Sequence, residues 1–253
     1  MNKIFSIGIS EFKRLFNTPL AWSVLAILQF ILALMFLMLI EQFIAVVQPQ
    51  TAASANPPGV TDVVIAPLYL WAGIIMLAVI PIMTMRLFAE ERMNKTLTLL
   101  LSAPLSSAQI VLGKYLGILL FLVLVVAMIL LMPLSLTVGT ELDWGKVVTS
   151  SLGLFLLLAS FAAAGLFLSS LTNQPIIAAI STFGFLLLLV VLYLAGNSQG
   201  NSSELFVYVS HFSHFLPFLE GLFDTSDLVY YLLFIVGFLI LAIRKLDNDR
   251  LLG

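Results

Sequence analysis

Six stretches of the chain stay apolar long enough to cross a lipid bilayer: residues 20–47, 67–85, 111–138, 147–171, 176–196 and 228–243. A hydrocarbon core of about 30 Å asks for roughly 20 such residues in a helix. The last stretch is short. It becomes adequate if Tyr230 and Tyr231 sit in one interface while Arg244 and Lys245 snorkel to the other. The amino terminus follows a different pattern. At about 100° per residue, Ile4, Phe5, Gly8, Ile9, Phe12, Leu15 and Phe16 share one face, and Lys3, Ser6, Ser10, Lys13 and Arg14 share the opposite one. Ile7 and Glu11 fit that division less well. The pattern predicts an interfacial helix over 1–18, before Pro19 turns the chain into the membrane. The alternative is a plain extension of the first span.

Composition agrees with this pattern. Hydrophobic residues make up 61% of the 253 and charged residues 9%, and mean hydropathy is +1.14, whereas a soluble domain is about one quarter charged. So few charges could not cover a water-facing surface. The expected fold is all-α: one polytopic membrane domain over 1–253 with six spans. There is no cysteine, which excludes disulfides, thiol catalysis and thiolate metal sites. No basic nucleic-acid surface is present. Ala-Ser-Ala at 53–55 imitates a signal-peptidase site, but the hydrophobic run before it is far longer than the 7–15 residues of a signal core.

Charge placement orients the spans. With the amino terminus cytoplasmic, ten of the eleven Lys and Arg residues fall inside, and only Lys146 falls outside. Five spans would put Arg244, Lys245 and Arg250 outside and break that bias, so six spans with both termini inside is the expectation. The outer loop at 48–66, with Pro49, Pro57, Pro58 and Gly59, reads as irregular. The outer segment at 197–227 starts polar (Asn197 to Ser203) and then turns aromatic with Phe206, Tyr208, Phe212, Phe215, Phe218 and Phe223, which predicts short helices dipping back into the interface. Pro81 and Pro133 should kink spans two and three. Ser160 with Ala164, and Ala159 with Ala163, place small residues four apart on span four and allow close helix contact.

Several kinds of chemistry are missing. Ion-coupled carriers place carboxylates, histidines or arginines near the midplane. Here Glu41, Arg86 and Lys114 lie toward span ends, leaving Gln29, Ser160 and Thr182 at depth. A phosphate-binding loop needs G-x-x-x-x-G-K-[ST]; the segment from Gly139 to Gly145-Lys146 has the wrong spacing and continues with Val147. His211 and His214 lie three apart near Glu204, Glu220, Asp224 and Asp227, but two histidines without a defined third ligand fit interface packing better than a metal site. No Ser-His-acid arrangement is suggested. The chain is therefore expected to be non-catalytic, with no cofactor of its own.

The most informative stretch joins spans two and three. Arg86, Glu90, Glu91, Arg92 and Lys95 precede an apolar turn of helix; Asn94 is placed to cap it, Pro104 to end it by restricting Ala103, and Ser106 with Gln109 to form a capping box for span three. A solvated turn whose charges merely hold the loop inside would look similar.

At these residues the pattern FAEERxxxTLxLLLSAPLSxxQIVLGK resembles the corresponding loop of ABC type-2 exporter permeases, closest to the gliding-motility and copper-maturation type. The amino-terminal helix and His214-Phe215 through Phe218, Gly221, Asp224, Asp227 and Tyr230 extend the resemblance over nearly the whole chain. Lys95 stands where that family often has glycine, and Thr98 where it often has glutamate.

The resemblance implies an elbow helix at 1–18, a coupling helix within 90–104, and an outer hairpin between spans five and six. It also implies a bacterial inner-membrane location and a second permease copy or related partner. Power would come from cytosolic ATPase subunits holding ATP and magnesium. Docking would fall to Glu90, Glu91, Arg92, Asn94, Lys95, Thr96, Leu97 and Leu100. An extracytoplasmic partner would meet His214, Phe215, Phe218, Asp224 and Asp227. The alternative reading is an ATPase-driven component that passes force or a signal to such a partner without moving a substrate. The cargo has no local motif.

Overall fold

The computed structural model describes residues 2–51, 58–102, 104–137, 139–196 and 204–252. The Ala-Ser-Ala triplet, Pro57, Ala103 and the polar start of the outer segment at 197–203 lie outside the described residues. Within them the chain is helical and contains no strand. A first helix, α1 (Asn2–Asn17), is broken at Thr18, whose extended backbone lets Pro19 open α2 (Pro19–Gln42). Proline suits that first position because its missing N–H has no helical partner there. A π-helical turn (Phe43–Val47) carries α2 into the short α3 (Gln48–Thr51). A second π-helical turn (Thr61–Ile65) leads into α4 (Ala66–Thr84). Then follow α5 (Ala89–Met93), α6 (Leu97–Ser102), α7 (Ser107–Leu136), α8 (Trp144–Leu171), α9 (Pro175–Gly196), α10 (Glu204–Val209), α11 (His211–Leu219) and α12 (Thr225–Leu252).

Six helical runs are long and apolar enough to cross a membrane: Pro19–Gln50, Thr61–Met93, Ser107–Leu136, Trp144–Leu171, Pro175–Gly196 and Thr225–Leu251. An even number of crossings brings both termini to one end of the bundle, together with α5 and α6. The helices α10 and α11 lie at the opposite end.

The spans exceed the hydropathy windows in places, and the cause is local. The 48–66 loop is not irregular throughout, since helix continues into it from both sides. The sixth span is not short. Tyr231 is fully buried and its hydroxyl donates to the His211 carbonyl at 2.8 Å, while the Tyr230 hydroxyl donates to the Val209 carbonyl at 2.6 Å. The two tyrosines therefore hold the outer hairpin instead of marking an interface. At the other end Lys245 pairs with Asp249 at 2.9 Å, one more turn along the helix.

The helix α8 is the axis of the bundle. Leu154, Leu157, Phe161, Ala162, Ala163 and Ala164 on it are fully buried, and it packs against α4, α7, α9, α11 and α12. The small residues at 159, 160, 163 and 164 all lie in these contacts, as close crossing requires. The polar side chains at depth are satisfied within the protein: Gln29 donates to the Met128 carbonyl, Ser160 to Leu157 and Thr182 to Ala178. Large apolar side chains on α2, α9 and α12 face outward, which suits lipid or a second membrane chain.

Candidate functional site

The loop between spans two and three is anchored from its first residue. The Ser169 hydroxyl on α8 accepts the Phe88 and Ala89 N–H groups, both at 3.1 Å, and donates to the Met85 carbonyl at 3.0 Å. It thereby satisfies donors that the first turn of a helix leaves open. The following helix, α5, ends in a Schellman motif: Thr96 N–H donates to the Glu91 carbonyl at 2.9 Å and Lys95 N–H to the Arg92 carbonyl at 3.1 Å. Asn94 thus closes α5 and does not cap α6, contrary to the sequence expectation. The Thr96 carbonyl accepts the first bond of α6, from Leu100 N–H at 3.2 Å. The Ser106–Gln109 capping box is present, with both of its bonds at 3.2 Å.

The motif needs one left-handed residue, and here that residue is Lys95, at φ 57°. The chain also supplies its own comparison. The end of α11 closes the same way, with Leu222 N–H on the Pro217 carbonyl and Gly221 N–H on the Phe218 carbonyl; the left-handed residue there is glycine, at φ 85°. A side chain in this region costs roughly 1–2 kcal/mol. Lys95→Gly should therefore slow amide hydrogen exchange across 89–102, a local gain of about 1 kcal/mol after glycine's own entropy loss. Lys95→Val should speed it, because a β-branched residue tolerates that backbone worse.

Charges then bind this loop to three other elements. Lys114, about two turns into α7, is only 1% exposed. Its Nζ donates to Glu11 on α1 at 2.7 Å and to Glu91 on α5 at 2.6 Å, and sits 5.3 Å from the centre of the Phe88 ring. Arg14 lies 3.1 Å from each carboxylate and closes the cluster from the solvent side. Arg92 pairs with Asp249 on the last turns of α12, and Arg250 donates to the Leu105 carbonyl at 2.8 Å. Lys3 donates to the Pro104 carbonyl at 3.2 Å. The ends of α1, α7 and α12 and the loop are thus held together.

Glycines set the approach of α1 to α7. A Cβ at Gly113 would stand 2.6 Å from the Ile7 side chain, and one at Gly117 would stand 2.6 Å from the Glu11 Cβ and 3.0 Å from the Gly8 carbonyl oxygen. Ile7 and Glu11, the two residues that fit the amphipathic wheel poorly, are among those that touch α7. Their misfit is the signal that this helix has a protein neighbour as well as an interface.

The expected docking residues separate into two groups. Glu91 and Arg92 are turned inward into ion pairs. Leu97, 5% exposed, is part of the apolar core, and Leu100 packs partly against it. Glu90 faces solvent beside Arg86, and Asn94, Lys95 and Thr96 are exposed. Of these, Glu90, Asn94 and Thr96 border a cleft of about 270 Å³ between α1 and the loop, which Arg14, Thr18 and Arg86 also line. Sequence reading missed Glu11, Lys114, Ser169 and Asp249. The available hints were the misfit of Glu11 on the α1 wheel and a lysine, Lys114, toward the end of a span, where a bare charge would be costly.

At the opposite end the residues expected to meet an outside partner are mostly interior. Phe215 and Phe218 are fully buried, and His214 and Asp227 nearly so. His214 Nδ1 lies 2.6 Å from Asp227 and Nε2 lies 2.8 Å from the Tyr208 carbonyl, with the Tyr230 ring stacked 4.0 Å away. These residues fasten α11 to α10 and α12. His211 is enclosed by Phe161, Tyr230, Tyr231 and Phe234. Because the Tyr230 hydroxyl donates to Val209, its oxygen accepts from His211 Nδ1 at 3.0 Å. Burial pushes the His211 pKa down to about 3, which keeps the ring neutral. Only Asp224 of the expected set is exposed, its carboxyl held below the usual range by the Ser226 N–H. Among the described residues no three histidines or acids are placed to share a metal.

No curated protein matches the sequence. A family model described as "ABC-2 family transporter protein" matches residues 6–250. That match begins inside α1 and ends within the last turn of α12, so it takes in every element tied together by the ion pairs, and the chain belongs to the ABC-2 transporter family as a multi-pass membrane protein.

Proposed function

We propose that the chain is the permease subunit of an exporter of the gliding-motility and copper-maturation type, powered by a separate cytosolic ATPase that docks on the end carrying both termini. The family implies a cytosolic ABC ATPase as partner. The observation that carries the docking site is the exposed Asn94-Lys95-Thr96 turn, held rigid by ion pairs from α5 to α1, α7 and α12. A push on such a turn is passed to three helices at once, through Glu91 to Lys114 and Glu11, and through Arg92 to Asp249. Ten of the eleven basic residues gather at this end, which supports its being cytoplasmic in a bacterial inner membrane. Two copies, or one copy and a related chain, would build the pathway, with ATP and magnesium in the ATPase. Closure of the ATPase would bias the spans between two arrangements.

The surface and its sidedness are tested together. In this cysteine-free chain, a single Lys95→Cys should react with a membrane-impermeant maleimide only after the cytoplasmic face is opened. A tagged chain taken from native membranes should bring an ABC ATPase with it. Asn94→Trp with Thr96→Trp should lose that ATPase while the permease stays monodisperse. Labelling of Lys95→Cys in intact cells, or full ATPase recovery with the double variant, overturns the assignment. The force-transmitting alternative would have to use exposed apolar residues of the outer hairpin, among them Phe206, Tyr208, Val209, Leu222 and Phe223.

A further inference from the structure

We propose that α12 holds one anionic phospholipid, with an acyl chain lying along an open notch at Gly237 and the headgroup phosphate on Arg244. Leu233, Phe234, Gly237, Phe238, Leu241 and Arg244 line an outward-facing groove of about 490 Å³. Apart from its chain neighbours and the backbone of α12 itself, no atom comes within 4 Å of the position a Cβ would take at Gly237, so the notch is open to whatever surrounds the bundle. One wall is fixed. The Phe234 and Phe238 rings lie 4.5 Å apart, and Phe238 rests 5.5 Å from Phe185 on α9 and 5.7 Å from Phe167 on α8. From Leu233 to Arg244 the helix rises about 16 Å, roughly half of a 30 Å hydrocarbon core. The groove therefore fits the depth of a single leaflet, with the guanidinium at its headgroup level.

Charge names the occupant. Asp249 is taken by Arg92 and Lys245, and Arg250 donates to Leu105. Arg244 forms no ion pair among the described residues, and Asp247, one turn further on, does not reach it. A guanidinium beside an apolar groove matches a phosphate joined to an acyl chain, because its fork of N–H donors engages phosphate oxygens in pairs. A second copy of the chain fits less well. Packed α12 against α12 about a twofold axis along the membrane normal, it would set two Arg244 side chains at one depth, like charge facing like charge.

Native mass spectrometry of the detergent-purified full chain tests this, with phosphatidylglycerol and phosphatidylcholine of identical acyl chains as probes. The unmodified chain should retain phosphatidylglycerol about tenfold better than phosphatidylcholine. Arg244→Gln should bring that ratio close to one. Gly237→Leu, which has room for its side chain, should remove both adducts while the thermal midpoint stays unchanged. Glycerol phosphate, lacking chains, should not compete. An unaltered lipid preference in Arg244→Gln, adducts that survive Gly237→Leu, or a lipid-free dimer that Gly237→Leu splits into monomers would each overturn the proposal, the last assigning the groove to a second copy.

Discussion

Lys114→Met should destabilise the protein by about 3–5 kcal/mol, the usual cost of removing one partner from a buried ion pair. Methionine keeps most of the volume but leaves the Glu11 and Glu91 carboxylates, both drawn to Nζ at under 3 Å, facing each other without their cation. Arg14 cannot replace it. Its side chain is 45% exposed, and water screens what it contributes. The readout is the thermal midpoint of purified protein together with emission from Trp22, whose indole packs edge-on against Phe16 at the end of α1. A triple change, Glu11→Gln, Glu91→Gln and Lys114→Met, should recover most of the loss, since the uncompensated charge is gone. A single variant within about 1 kcal/mol of the unmodified chain would show that the cluster contributes little.

Gly117→Leu should lift α1 from α7. Two of the three atoms a Cβ would meet are backbone, the Gly8 oxygen at 3.0 Å and the Phe12 nitrogen at 3.3 Å, and backbone cannot rotate aside. Overpacking of this kind costs about 1–3 kcal/mol. Amide exchange across 2–17 should accelerate about tenfold, while α8, on the far side of α7, keeps its protection. If the proposed coupling is right, ATP-driven transport falls in parallel, because the loop has lost one of its three supports. Unchanged exchange in α1 would mean that the helix is held elsewhere.

The class of fold was plain from hydropathy because a bilayer imposes length and apolarity on every span, and the capping box at Ser106 and Gln109 was plain because its two residues lie three apart. Contacts between distant parts of the chain were harder to read. Arg92 and Asp249 are 157 positions apart, and no local pattern announces such a pair. Glu91, Arg92 and Leu97 were given docking roles by resemblance to a family loop, whereas their burial is decided by neighbours that a one-dimensional reading does not supply. The outer hairpin misled for a related reason. Its aromatic residues signalled an interface, but Phe212, Phe215 and Phe218 are buried in the bundle, Phe215 beside Gly73 on α4 and Phe218 against Gly153 on α8, while Phe206, Tyr208 and Phe223 stay exposed. Lys95, standing where the resemblance pointed to glycine, was by contrast a usable clue: among the described residues it is the one position other than glycine whose φ is positive.

A bundle built around a single enclosed helix has few ways of moving. Because α8 is surrounded on nearly every side, it can neither slide nor tilt without opening voids against five neighbours at once. If the proposed function holds, a rearrangement of the spans would leave α8 standing as a post while peripheral members swing. The helices α2 and α9, the spans least covered by the rest of the chain, would be the members with most freedom to do so.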